Sequence, residues 1–273
     1  MKYAISIIIA VLLVAGLGAT NAGAVVKLPA SPTYVALGDS VAAGAGLPTS
    51  DAVCMRSPQA YPNQVASALG TSVTSLACSG AKIDEGLYGV QERGGSVLTP
   101  QIDQALSAGV PDLMTITIGA NDARWIEFMT KCYVATCGTT FDSAAAKVLR
   151  TDLRIELSAA LYRIKNLSGN TTPPKVLISG YYNPLSQTQC LGEGRITLKE
   201  SSWIRNQTNS LNQAIRSVTP YFSNVKYVPI TITGHELCSK DPWVQGITAS
   251  APLHPTAAGQ AAIAQSFVRT ITK

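Results

Sequence analysis

Hydrophobic positions along this chain fall into two rhythms. Short apolar, β-rich runs occupy residues 34–37, 72–77, 113–118, 175–179 and 225–230, and read as strands buried on both faces. Between them, residues 58–69, 102–108, 143–167, 202–218 and 256–270 read as helices. Continuous apolar strands alternating with helices predict an α/β domain in which helices cover both faces of a parallel sheet, a three-layer α/β/α sandwich. The segments 81–99 and 181–199 read as long loops, and long loops in such folds usually build the substrate site. With no repeat, linker or composition break, residues 25–273 read as one domain.

The first two dozen residues stand apart from this pattern. Lys2 gives a positive start, residues 4–17 are apolar, and Ala22-Gly23-Ala24 fits the small-residue rule for cleavage. The run is shorter than the ~20 apolar residues of a membrane span. It predicts a signal peptide over residues 1–24, a mature chain from near Val25, secretion, and no integral membrane segment after cleavage.

Composition narrows the partners. Charged residues make up 14% of the chain and hydrophobic ones 46%; the net charge of +5 is dispersed, with no basic run to mark a nucleic-acid site. The cysteines are Cys54, Cys78, Cys132, Cys137, Cys190 and Cys238, an even count that suggests disulfides in an exported chain. Sequence does not fix their connectivity; loop closure favours the nearest-neighbour set, Cys54–Cys78, Cys132–Cys137 and Cys190–Cys238. A metal site is disfavoured, because no cysteine pair has zinc-like spacing and the chain has only two histidines.

In open α/β sheets ligands bind beyond the carboxyl ends of the strands. Three predicted strands end there in small polar clusters: Gly38-Asp39-Ser40, Ser79-Gly80 and Gly119-Ala120-Asn121-Asp122. His254 lies in the loop before the last helix. Together they supply a hydroxyl nucleophile, a base and oxyanion donors, the parts for acyl transfer. Taken alone, Ser40 reads as a helix cap. Ser79 is an alternative nucleophile, and Asp39 and Asp122 read as turn or loop hydrogen-bonding residues. His235 reads as structural, beside Cys238. Trp125, Trp203 and Trp243 read as core or rim residues.

The blocks V-A-L-G-D-S, C-S-G, G-A-N-D and L-H-P, in that order across the mature chain, resemble those of the SGNH/GDSL hydrolase family. Length and cysteine layout are similar to those of its secreted actinobacterial lipases and esterases. The resemblance implies an SGNH-type fold with flavodoxin-like topology. It also implies Ser40 as nucleophile, His254 as base, and an oxyanion hole of the Ser40 N–H, the Gly80 N–H and the Asn121 amide. One position departs from the family: the Asp often found three residues before the histidine is Ala251 here. The expectation is a Ser–His dyad, with the imidazole held by a backbone carbonyl of the Ala251–Pro252 stretch; Asp241 is the competing acid. The implied activity is carboxylic ester hydrolysis by an esterase or lipase, on a small-molecule or lipid ester, with no cofactor, no metal and no nucleic acid, by a monomer. The absence of a G-x-S-x-G elbow argues against an α/β-hydrolase. A carbohydrate O-deacetylase with the same parts, or a non-catalytic binding protein on this scaffold, are the alternatives.

Overall fold

A computed structural model describes residues 27–49, 51–187 and 195–272. Its main sheet has five strands: β1 (Tyr34–Gly38), β2 (Val73–Ser75), β5 (Leu113–Thr117), β6 (Lys175–Ser179) and β7 (Val225–Val228). They run parallel in the order β2-β1-β5-β6-β7. Among these five alone the order is 2-1-3-4-5, the flavodoxin-like arrangement, whose topological switch point lies between β1 and β5. Burial follows position in the sheet. Every residue of β1 and β5 is buried, whereas the edge strand β2 alternates with exposure.

Helices α2 (Tyr61–Ala68) and α7 (Ala257–Thr272) pack together on one face. On the other face lie α3 (Gln101–Ser107), α5 (Thr140–Leu167) and α6 (Leu198–Val218). The arrangement is the α/β/α sandwich that the hydrophobic rhythm predicts. Among the described residues, no helix is long and apolar enough to cross a membrane.

Several boundaries differ from the sequence reading, each for a local reason. Helices α5 and α6 begin three and four residues before the expected 143 and 202, because Thr139–Asp142 and Thr197–Glu200 form capping boxes. Residues 58–60 are a turn, and Pro62 sits in the first turn of α2. The strands expected over 72–77 and 225–230 pair only over Val73–Ser75 and Val225–Val228. Ser40 does not cap a helix. The cap of the four-residue helix α1 (Ser40–Ala43) is Asp39, which accepts the Val41 N–H at 2.9 Å.

The segment 81–99 is not all loop. It holds a hairpin, β3 (Gln91–Arg93) paired with β4 (Ser96–Leu98). Helix α4 (Trp125–Val134) was not expected at all. It covers a second apolar cluster, in which Met129 packs with Leu185, Ile196, Ile204 and Leu253. Disulfide bonds join Cys54 to Cys78 and Cys132 to Cys137. The expected Cys190–Cys238 pair involves Cys190, and the signal peptide involves residues 1–24; both lie outside the described residues.

Candidate active site

The site forms where β1 and β5 end. β1 closes at Gly38 with φ +137°, where a Cβ would run into the Thr117 carbonyl of β5, so only glycine allows this approach. The Gln101 side chain grips both sides of Gly38, accepting its N–H at 2.7 Å and donating to its carbonyl at 3.0 Å. Asp39 is buried, and its carboxyl also accepts from the Tyr181 hydroxyl. Burial raises the Asp39 pKa to about 7, against the lowering effect of those two hydrogen bonds. Tyr181 in turn accepts the Ala120 N–H at 3.1 Å. One phenol therefore links the turn bearing Ser40 to the turn bearing Asn121.

Ser40 and His254 meet directly: Ser40 Oγ lies 2.7 Å from His254 Nε2. His254 Nδ1 lies 3.1 Å from the Pro252 carbonyl oxygen. A carbonyl only accepts, so the proton sits on Nδ1 and Nε2 is left to accept from the serine hydroxyl. The histidine turn is itself clamped. Leu253 N–H donates to Gln245 O at 3.0 Å, Gln245 N–H donates to His254 O at 2.8 Å, and Tyr182 donates to Leu253 O at 2.9 Å. Leu253 has φ +62°, a left-handed conformation unusual for a bulky residue, and these contacts hold it there. Burial lowers the His254 pKa, opposed by the Pro252 and Ala251 carbonyls.

Asp241 is occupied elsewhere. Its carboxylate accepts from Trp243 Nε1 at 3.1 Å, and its backbone carbonyl lies 2.8 Å from His235 Nδ1. His235 stacks on Trp243 with ring centroids 3.5 Å apart. This cluster braces the loop that leads to the His254 turn, because Trp243 also exchanges backbone bonds with His235 and Thr256.

The remaining blocks are tied to the same rim. Cys78 N–H donates to Gly38 O at 2.9 Å and Ser79 N–H to Cys54 O at 3.0 Å, which places the Gly80 turn beside the end of β1. Gly80 is exposed with φ +80°. Asn121 Nδ2 donates to Ala81 O at 2.8 Å; one amide proton is thereby used, and the other is left for a ligand. Ser79 is buried, and its Oγ has no hydrogen-bond partner among the described residues, so no imidazole lies against it as His254 lies against Ser40. Asp122 acts as a loop acceptor, taking the Ile83 N–H at 2.9 Å.

Ser40, Asn121 and His254 line a pocket whose other walls are Val41, Ala120, Trp125, Ile126, Tyr181, Tyr182 and Leu253. Gly80 lies outside that lining. Trp125, Ile126, Tyr181 and Tyr182 were not singled out as site residues from sequence. Tyr181 and Tyr182 come just past the end of β6, after Gly180, so the carboxyl-end rule could have found them. Trp125 and Ile126 belong to α4, which was missed. Asp84, Asp122 and Glu156 bring carboxylate oxygens within 4.8 Å of one another. Burial, with the neighbouring carboxylates, raises Asp122 to about 6 and Glu156 to about 7.

A parallel α/β sheet with a hydrogen-bonded Ser–His pair at its switch point is an architecture of serine-dependent acyl-transfer enzymes. The chain belongs to the GDSL-like lipase/acylhydrolase family, whose model matches residues 36–262, and it is a carboxylic ester hydrolase. It is 33% identical to a lipase of Streptomyces rimosus, over 92% of this chain and 91% of that one. It is equally 33% identical to lipase 1 of Streptomyces coelicolor, over 91% of each. Its fold matches the crystal structure of the extracellular Streptomyces rimosus lipase with a TM-score of 0.68 and 25% identity, covering 87% of this chain and 99% of that one. A phospholipase A1 of Streptomyces albidoflavus matches with a TM-score of 0.63 at 25% identity, over 88% and 98%.

Proposed function

We propose that this chain cleaves acyl esters through a covalent acyl-enzyme on Ser40, with His254 as the sole side-chain base. The observation that carries the reading is the continuous relay Ser40 Oγ, His254 Nε2, His254 Nδ1, Pro252 O, with steps of 2.7 and 3.1 Å and no carboxylate in it. Ser40 Oγ attacks the ester carbonyl as its proton moves to Nε2. The negative charge that develops on the carbonyl oxygen is met by the Ser40 and Gly80 N–H groups and by the free amide proton of Asn121. Collapse of the tetrahedral intermediate expels the alcohol, which takes the proton from Nε2. Water, deprotonated by the same nitrogen, then attacks the acyl-enzyme, and collapse of this second tetrahedral intermediate releases the acid as Ser40 Oγ takes the proton back from Nε2.

The apolar walls of the cavity favour an aliphatic acyl group over an acetylated sugar. A lipase or esterase is therefore the favoured reading over a carbohydrate deacetylase. The pairs Cys54–Cys78 and Cys132–Cys137, together with the export-like sequence of residues 1–24, support a secreted chain. We read the mature protein as one hydrolase domain acting as a monomer. The test is a p-nitrophenyl ester chain-length panel with Ser40→Ala as control. Hydrolysis that vanishes in the variant is expected. Wild-type inactivity on every ester, or undiminished turnover by Ser40→Ala, would overturn the reading.

A further inference from the structure

The two flanks of Ser40 differ in chemistry. In the strand order β2-β1-β5-β6, Asn121 and Tyr181 follow β5 and β6, so the apolar cavity lies on one flank. Gly80 follows β2, so it lies on the other. The side chain beside Gly80 is Arg93. Its Nη1 lies 3.1 Å from the point where a Cβ on Gly80 would stand.

This guanidinium is held in place from behind. Arg93 Nε donates to Val53 O at 2.6 Å, and Nη2 lies 3.6 Å from Met55 Sδ. Val53 and Met55 flank Cys54, which is bonded to Cys78, two residues before Gly80. Strand β3 is fixed to the same turn, because Gln91 Nε2 donates to Ser79 O at 3.1 Å. Arg93 is half-buried, and among the described residues it has no ion-pair partner and Nη1 has no acceptor. The side-chain freedom that an arginine normally loses on binding is already lost here. What remains is an oriented pair of N–H donors and a full charge next to Gly80, the glycine that the acyl-enzyme reading above assigns to the oxyanion hole.

We propose that Arg93 is a specificity residue that binds an anionic group, a phosphate, on the alcohol portion of the ester. The acyl chain then occupies the apolar flank while the phosphate meets the guanidinium on the β2 flank. A phosphate suits the site because its oxygens accept from the planar guanidinium fork with full charge complementarity. The inference rests on the acyl-enzyme reading above but makes a separate claim about the leaving group.

The test compares a monoacylglycerol with a lysophosphatidylglycerol of the same acyl chain, in the same detergent micelles, for wild type, Arg93→Gln and Arg93→Lys. The measured quantity is the ratio of kcat/KM for the phosphate-bearing substrate to that for the neutral one. Arg93→Gln is expected to lower this ratio by roughly 10- to 100-fold, the worth of a charged hydrogen bond, and Arg93→Lys to restore part of it. In the wild type, independently of any variant, glycerol 3-phosphate is expected to inhibit p-nitrophenyl butyrate hydrolysis competitively where glycerol at the same concentration does not. An unchanged ratio in Arg93→Gln, or equal effects of the two glycerols, would overturn the proposal. Wild-type activity confined to neutral esters would also overturn it while leaving the acyl-enzyme reading intact. Wild-type inactivity on every ester would instead strike at that earlier reading.

Discussion

Replacing Asn121 by Ala tests the oxyanion arrangement. The variant removes an amide whose two protons have different tasks: one goes to Ala81 O at 2.8 Å, and the other faces the cavity. Loss of the first bond costs about 1 kcal/mol of stability, the typical net value for a neutral hydrogen bond. Loss of the second is felt only when charge develops on the substrate oxygen. Removing one such donor typically costs about 3 kcal/mol of transition-state stabilisation, a fall in kcat of roughly 10²- to 10³-fold. KM should barely move, because the neutral ester carbonyl gains far less from the donor than the oxyanion does. The assay is steady-state hydrolysis of p-nitrophenyl butyrate at saturating substrate, with thermal unfolding as a folding control. A fall in kcat below about tenfold, or a raised KM at constant kcat, would show that Asn121 is only a bracket for the loop at Ala81. Asn121→Asp should be at least as inactive, since a carboxylate supplies no donor and repels the oxyanion.

Because burial lowers the His254 pKa below its ordinary 6.5, the neutral base should persist into mildly acidic solution. A pH–rate profile of kcat/KM should therefore lose activity only below pH 6.5, with the alkaline side held; an acid optimum would contradict the assignment. Asp241→Asn should leave kcat within about twofold, because its carboxylate serves Trp243, and a loss of several orders of magnitude would restore it as the catalytic acid. Asp39 has a folded pKa of about 7 against an ordinary 3.8, so between these values the folded state holds a proton that the unfolded chain has released. Stability from this group should therefore decline as pH rises through that window, by on the order of 4 kcal/mol. Urea titrations at pH 5 and pH 8 should show that slope flattened in Asp39→Asn.

The parts that sequence could locate are those set by short-range rules. Strand burial fixed the positions of β1, β5 and β6, because strands in the middle of a parallel sheet must be apolar on both faces. Ser40, Asn121 and His254 could be found because each stands at a turn beside a strand end or helix start. The rest depended on long-range contacts. Helix α4 has apolar residues at helical spacing, Trp125, Phe128, Met129 and Cys132, but what it covers is supplied by Leu185, Ile196, Ile204 and Leu253 from distant segments. The hairpin β3–β4 is three residues per strand and alternates in burial too briefly to register as a pattern. Tyr181 could not be assigned a role until Asp39 and Ala120, 142 and 61 positions away, arrived at its hydroxyl.

The missing acid has consequences that reach beyond His254. A carbonyl orients an imidazole as well as a carboxylate does, but it carries only a partial charge, so it supports the imidazolium of the transition state less strongly. Orientation must then come from the backbone. That explains why the turn is fastened on both sides, with Gln245 gripping Leu253 and His254 and Tyr182 holding the Leu253 carbonyl against a left-handed φ of +62°. It also gives α4 a part in the site. Leu253 packs in the cluster beneath that helix, and Cys132, on the helix, is bonded to Cys137 just before α5. In the proposed dyad the orientation of His254 is therefore set by backbone bonds and by packing under α4 rather than by an ion pair.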